Sequence, residues 1–152
     1  MSSVNSYTVF GAFEYVKFPE LGVDTVLAKI DTGAYSGALH CSVLKTRTIN
    51  GKRVLRFKPL GVAAVIETED FLVTNVRSST GHREVRYLID TQIEVKGRSY
   101  SIRIGLSNRK NMKKGVLIGR RFLRENDILV DSRINQEFDT DGGETYANSD
   151  SI

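Results

Sequence analysis

Lys29-Ile30-Asp31-Thr32-Gly33-Ala34 is the stretch on which the reading of this chain turns. Val26, Ala28 and Ile30 alternate ahead of it at the two-residue period of a half-buried strand. The apolar strand then meets an acid, a hydroxyl residue and a glycine. Glycine lets the turn tighten and lets another backbone come close. Thr32 supplies a hydroxyl that can lock such a turn. The plain reading is an Asx-type turn closing a strand. The sharper reading is a carboxylate presented for acid–base chemistry. Two carboxylates about 3 Å apart cannot both ionise, so they share one proton. The ionised member can then take a proton from water while its partner donates to a carbonyl. Only one such triplet occurs: Asp90-Thr91-Gln92, Asp131-Ser132-Arg133 and Asp139-Thr140-Asp141 all lack the glycine. A carboxylate pair therefore requires two copies of the chain about a two-fold axis.

Working outward, strand signals dominate. Asn50-Gly51 separates Thr46–Ile49 from Arg53–Lys58, a strong hairpin signature. Lys96-Gly97 similarly divides Thr91–Val95 from Ser99–Leu106, where Ile102, Ile104 and Leu106 share a face. Val85–Ile89 is a further β-rich run. Val116-Leu117-Ile118 reads as a short, fully buried strand, and Ile128–Asp131 as a last one. Only Gly119–Asn126 reads as helix. Many short strands with close turn signals predict an all-β barrel or sandwich with one short C-terminal helix. The expected division is one domain over 1–133 and an acidic, flexible tail over 134–152, because the tail holds too little apolar surface to offset its ordering entropy.

Composition supports one globular domain: 152 residues, 40% hydrophobic and 26% charged. No apolar run reaches the roughly 18 residues of a membrane-spanning helix. The N-terminus lacks the basic and apolar regions of a secretory signal, and Cys41 is the only cysteine, so a reducing, cytoplasmic location is expected. Charge is uneven. From Arg77 to Arg124 there are thirteen Lys/Arg against three acids, and from Ile134 to Ile152 five acids and no base. A basic middle steers anions: an acidic peptide, nucleic acid or the acidic tail. A solvated surface is the bland alternative. No aromatic-interleaved basic strand appears, so nucleic acid ranks below an acidic peptide.

Retropepsins pair an Asp-Thr-Gly loop with a later apolar strand that ends in glycine and enters a short helix. Val116-Leu117-Ile118-Gly119-Arg120, followed by Arg121-Phe122-Leu123, has that form and order. As a whole, the chain resembles the bacterial family named ATP-dependent zinc proteases, whose members look like retropepsins and are in part associated with the RimK glutamate ligase. Three blocks carry the resemblance: Lys29–Ala34 with Ser36–His40 behind it, Arg77–Arg86, and Leu106–Met112 running on to Leu117–Leu123. With Pro19–Gly22 they span about Phe10 to Asp131. Arg121 stands where viral retropepsins usually carry Asp, and Tyr35 where many relatives carry a basic or small residue.

The resemblance implies a retropepsin-like barrel, homodimerisation and peptide-bond hydrolysis with Asp31, Thr32 and Gly33 as the catalytic loop. It implies an oligoglutamate-bearing substrate for the RimK-linked members. Ala34, Arg77, His82, Arg86, Arg109 and Gly119 are the expected substrate-binding residues, with arginine suited to bidentate capture of carboxylates. Arg86 and Arg109 are equally readable as structural. The stretch Val73–Arg86 is the expected flap. Zinc hydrolysis needs about three ligands and an open position. The soft residues are His40, Cys41 and His82, no His-Glu-x-x-His occurs, and neighbours on a strand point apart. No G-x-x-x-x-G-K-[ST] phosphate loop is present. Neither a metal nor another cofactor is expected. The alternative to a peptidase is a non-catalytic module of the same fold that docks an acidic partner.

Overall fold

The computed structural model describes residues 6–77, 81–108, 114–140 and 147. In chain order the strands are β1 (Thr8–Gly11), β2 (Phe13–Phe18), β3 (Val23–Ile30), β4 (Ala38–Ile49), β5 (Lys52–Pro59) and β6 (Ile66–Thr68). Then follow β7 (Leu72–Arg77), β8 (Arg83–Val95), β9 (Arg98–Ser107) and β10 (Val116–Ile118). Helix α1 (Arg120–Glu125) leads into β11 (Ile128–Asp131).

The two glycine dipeptides make the hairpins they predict. Asn50 and Gly51 have φ of 51° and 79°, and Lys96 and Gly97 have 54° and 76°. Positive φ at both central residues is the turn whose twist matches the strands it joins. The runs Val85–Ile89 and Thr91–Val95 are one continuous strand, β8, paired along its length with β9 from Val95↔Arg98 to Tyr87↔Leu106.

Ring closure defines the architecture. The order β10-β3-β2-β8-β9-β4 returns to β10, which also pairs with β4. The result is a six-stranded mixed barrel with one short helix. Two of the six junctions, β10–β3 and β4–β9, are parallel. Closure removes sheet edges and gives the alternating apolar residues one shared interior. Leu39, Ile93, Ile104, Val116 and Ile118 are fully buried there, with Ile89, Val95 and Ile102 beside them. Strand β5 extends the sheet from β4, and β6 from β5. Strand β7 pairs with β8, from Leu72↔Leu88 to Arg77↔Arg83. The Val73–Arg86 stretch is thus a two-stranded hairpin, with 78–80 outside the described residues.

The first and last strands meet. Strands β1 and β11 pair in parallel, Thr8↔Ile128 through Gly11↔Asp131. The packed region also continues beyond the expected boundary at 133. The Ala12 amide donates to the Ile134 carbonyl at 2.9 Å, and Asn135 Nδ2 donates to the Phe13 carbonyl at 2.7 Å. The Phe138 ring stands edge-on to Phe13 and Tyr15, with centroids 6.4 and 5.9 Å apart. Composition alone conceals this docking, because one aromatic ring and one amide do the work among polar neighbours.

Strand β10 positions the site. It lies between β3 (Val116↔Ala28, Ile118↔Ile30, parallel) and β4 (Val116↔Leu39, Leu117↔Ala38, antiparallel). Such close insertion needs small residues where the loops cross. Gly37 has φ of +73°, and a Cβ there would run into the Leu117 carbonyl oxygen. Gly119 has an ordinary extended backbone, so its constraint is space. A Cβ would collide with the Tyr35 carbonyl oxygen and stand 2.6 Å from the Gly37 nitrogen.

Two predictions follow from this packing. Gly119→Ala overfills the crossing and should cost about 1–3 kcal/mol of stability, read as a lower urea midpoint; an unchanged midpoint would mean the crossing is loose. The second concerns the barrel wall, where Arg103 Nε and Nη2 donate to the two Asp90 oxygens at 2.7 and 3.0 Å. That hydrogen bonding, aided by the charges of Arg103 and Arg121 and opposed by slight burial, holds the Asp90 carboxyl below its ordinary 3.8. A lowered folded value stabilises above the unfolded one and is lost as pH falls through the folded one. The stability gap between wild type and Arg103→Gln should be small at pH 7 and shrink below about pH 4. A gap that widens in acid would contradict this assignment.

Candidate active site

Asp31 stands at the end of β3, where the strand leaves the barrel. Its amide donates to the Ile118 carbonyl at 2.8 Å, so β10 fixes the residue's backbone. Its Oδ1 accepts the Gly33 amide at 2.9 Å, and the Ala34 amide donates to its carbonyl at 3.1 Å. This is the Asx-type turn of the plain reading. What surrounds it is not plain. The first N–H groups of α1, which has no side-chain cap, donate into the same loop. Arg120 N reaches the Ala34 carbonyl at 2.8 Å and Arg121 N the Tyr35 carbonyl at 3.0 Å. Orphan helix donors and loop carbonyls satisfy each other, with Gly119 as the thin spacer that permits the approach.

Asp31 is half-buried, while Thr32 and Gly33 are exposed. Among the described residues, the Gly33 amide is the one hydrogen-bond donor to the Asp31 carboxylate. The second oxygen accepts no hydrogen bond from those residues. No bond from the Thr32 hydroxyl locks the turn within these residues; the Gly33 amide and the helix do that instead. Thr32 also borders a groove formed with Tyr7, Arg120, Leu123, Arg124 and Leu129.

The remaining expected residues divide. Ala34 and Gly119 belong to the loop assembly just described. Arg86 is half-buried, and its stem crosses Gly105, where a Cβ would stand 3.2 Å from Arg86 Cδ and 3.1 Å from the Gly37 carbonyl oxygen. It lines a polar groove with Glu84, Ser107 and Asn108. Arg77 is paired with Arg83 through the hairpin backbone, and His82 is exposed at the start of the returning strand. Arg109 lies outside the described residues. The Arg121 side chain pairs with Glu125 at 2.9 Å.

Two residues escaped the sequence reading as site components. Arg120 Nη1 donates to the Gly33 carbonyl at 3.2 Å, and its guanidinium carbon lies 5.3 Å from the centre of the Tyr35 ring. The signal was an arginine directly after the crossing glycine and an aromatic two residues beyond Gly33. Cys41 is buried, and that burial pushes its thiol up to about 12, opposed by a hydrogen bond with the Ser107 backbone. It is a core thiol rather than a ready thiolate ligand. Among the described residues, no three His, Cys, Asp or Glu side chains cluster as metal ligands would.

Residues 9–137 match the family described as "RimB-like: Retropepsin-like aspartic endopeptidase RimB". The chain is similar to the "Probable alpha-L-glutamate ligase" of Shewanella pealeana, 30% identical over 129 residues that cover 81% of this chain and 28% of that protein. It is also similar to the protein of the same description from Desulfotalea psychrophila, at 27% identity over 135 residues, 85% of this chain and 29% of that one. The chain thus spans less than a third of the length of these relatives. A crystal structure of a Legionella pneumophila protein of unknown function (DUF785) superposes with a TM-score of 0.66 at 26% identity, covering 85% of this chain and 96% of that one. With the Asp31 loop, the strand inserted beside it and a family match over most of its length, the chain belongs to the RimB-like family of retropepsin-like aspartic endopeptidases.

Proposed function

We propose that this chain hydrolyses peptide bonds as a homodimer, with Asp31 of each copy forming one carboxylate pair. The observation that carries this reading is the Asp31 turn. One carboxylate oxygen is engaged by Gly33 N–H, the other accepts no hydrogen bond from the described residues, and the Thr32-Gly33 edge beside it is exposed. A two-fold axis along that edge brings the second oxygens together and sets the two Thr32 hydroxyls against the partner loops. One aspartate is then ionised and the other protonated. The ionised group takes a proton from water as its oxygen bonds to the scissile carbonyl carbon. The protonated group donates to the carbonyl oxygen and stabilises the tetrahedral adduct. Proton transfer to the amide nitrogen lets the C–N bond break, returning one shared proton to the pair.

The substrate class under this reading is an acidic peptide, specifically one bearing oligoglutamate. The thirteen-to-three basic excess between Arg77 and Arg124 supports it, since an anionic chain is drawn to such a surface. So does the description of the similar proteins as glutamate ligases, whose chemistry handles glutamate. The β7–β8 hairpin is the flap in this account, and it carries Arg77, His82 and Arg83 near its tip. Arg86 and Arg109 are further carboxylate partners. A reducing, cytoplasmic setting agrees with the single buried thiol.

The test is Asp31→Asn assayed on a peptide ending in oligoglutamate. Cleavage should fall about 10²–10⁴-fold, while sedimentation finds the same assembly as wild type. Retained cleavage would remove Asp31 from the chemistry.

A further inference from the structure

Among the described residues Gly33 is the one that hydrogen-bonds the Asp31 carboxylate, and it is held from both sides. Its N–H donates to Asp31 Oδ1 at 2.9 Å, and its carbonyl accepts from Arg120 Nη1 at 3.2 Å. Glycine has the widest conformational freedom of any residue. An exposed glycine that must present its amide to a carboxylate needs restraint beyond its own backbone preference. The backbone bonds between the loop and the β10–α1 segment do not supply it. They engage Asp31, Ala34 and Tyr35, and leave the Gly33 carbonyl to the Arg120 side chain.

Arginine suits this task for a geometric reason. The guanidinium is flat, so its edge can donate while its face lies on an aromatic ring. The Tyr35 ring, 5.3 Å from the guanidinium carbon and about half exposed, offers that face. Tyr35 is also anchored independently of its ring, since its carbonyl accepts the Arg121 amide at 3.0 Å. Ring, guanidinium, Gly33 and carboxylate therefore form a continuous chain of contacts. Its last member is the group placed at the chemistry in the reading above, on which this inference rests.

We propose that Arg120, held by the Tyr35 ring, is a positioning residue for Asp31 and acts through Gly33. Neither side chain touches the reacting atoms. Arg120 limits where the Gly33 amide points, and Tyr35 limits where Arg120 points. The covalent steps are unchanged, and the effect falls on turnover more than on substrate binding.

The experiment compares Arg120→Met, Arg120→Lys, Tyr35→Leu, Tyr35→Phe and the double variant Arg120→Met with Tyr35→Leu, each in the whole chain of residues 1–152, with wild type and Asp31→Asn. The readouts are kcat and KM on an oligoglutamate-ended peptide and hydrogen exchange at the Gly33 amide. Arg120→Met should lower kcat about 10–100-fold, with KM within about twofold. It should also speed Gly33 exchange while leaving the amides of Asp31 and Ala34 protected. Tyr35→Leu should lower kcat about 2–5-fold, the size of an exposed cation–π contact, and Phe should restore what Leu loses. Lysine, which can donate but cannot stack in the same plane, should rescue only part of the Met loss. The double variant should be no worse than Arg120→Met alone, because both act through one contact.

Wild-type kcat and Gly33 exchange in Arg120→Met would overturn the proposal. So would a loss confined to KM or accompanied by general loss of amide protection. If Asp31→Asn cleaves as well as wild type, or wild type does not cleave the probe, the peptidase reading fails. Gly33 exchange then still decides whether Arg120 restrains that residue.

Discussion

The insertion of a three-residue strand between β3 and β4 is the constraint on which the rest depends. Without β10 the barrel would not close, and the Ile118 carbonyl would not meet the Asp31 amide. Without Gly119 the same strand could not pass beneath the Tyr35 carbonyl and hand its helix to the loop. The carboxylate is therefore held mainly by backbone bonds from elements that also form the core. Val116 and Ile118 are fully buried while the residues just beyond them contact the loop. Coupling a site to a rigid scaffold in this way holds its geometry within a narrow range.

Much of this was legible in the residues. The positive-φ turns at Asn50-Gly51 and Lys96-Gly97, the Val116–Ile118 strand and the helix after Gly119 each have strong local signatures. The structure gives them nearly the expected bounds. The Asp31 loop and Gly119 were read as one assembly, and they are one. What was hidden depends on contacts distant in sequence. Strand β1 has little meaning until it meets β11, more than a hundred residues later. Asn135 and Phe138 look like tail residues until Phe13 and Tyr15 are placed beside them. Arg120 looked like part of a basic surface, because a side chain that bonds a loop carbonyl cannot be told by sequence from one that faces solvent.

The basic middle separates in a similar way. Its residues have one sign of charge and several jobs. Arg103 pairs with Asp90 on the barrel wall, and Arg121 with Glu125 one turn along α1. Lys114 lies over the Phe13 ring and bonds the Phe138 carbonyl, fastening the end of the packed chain. Arg120 serves the loop. Arg77, His82 and Arg83 belong to the hairpin built from β7 and β8, on which Val73 and Val85 are exposed. Net charge drew attention to the region, and the partners of each cation divide it.

The central claim is that one Asp31 is half of a site. It is tested most directly by mixing wild-type and Asp31→Asn chains under conditions that let subunits exchange, and measuring turnover against the wild-type fraction. If both carboxylates are required, activity follows the square of that fraction, falling to about one quarter in an equal mixture of randomly paired chains. A straight-line fall to about one half would mean that each chain works alone, and would contradict the account.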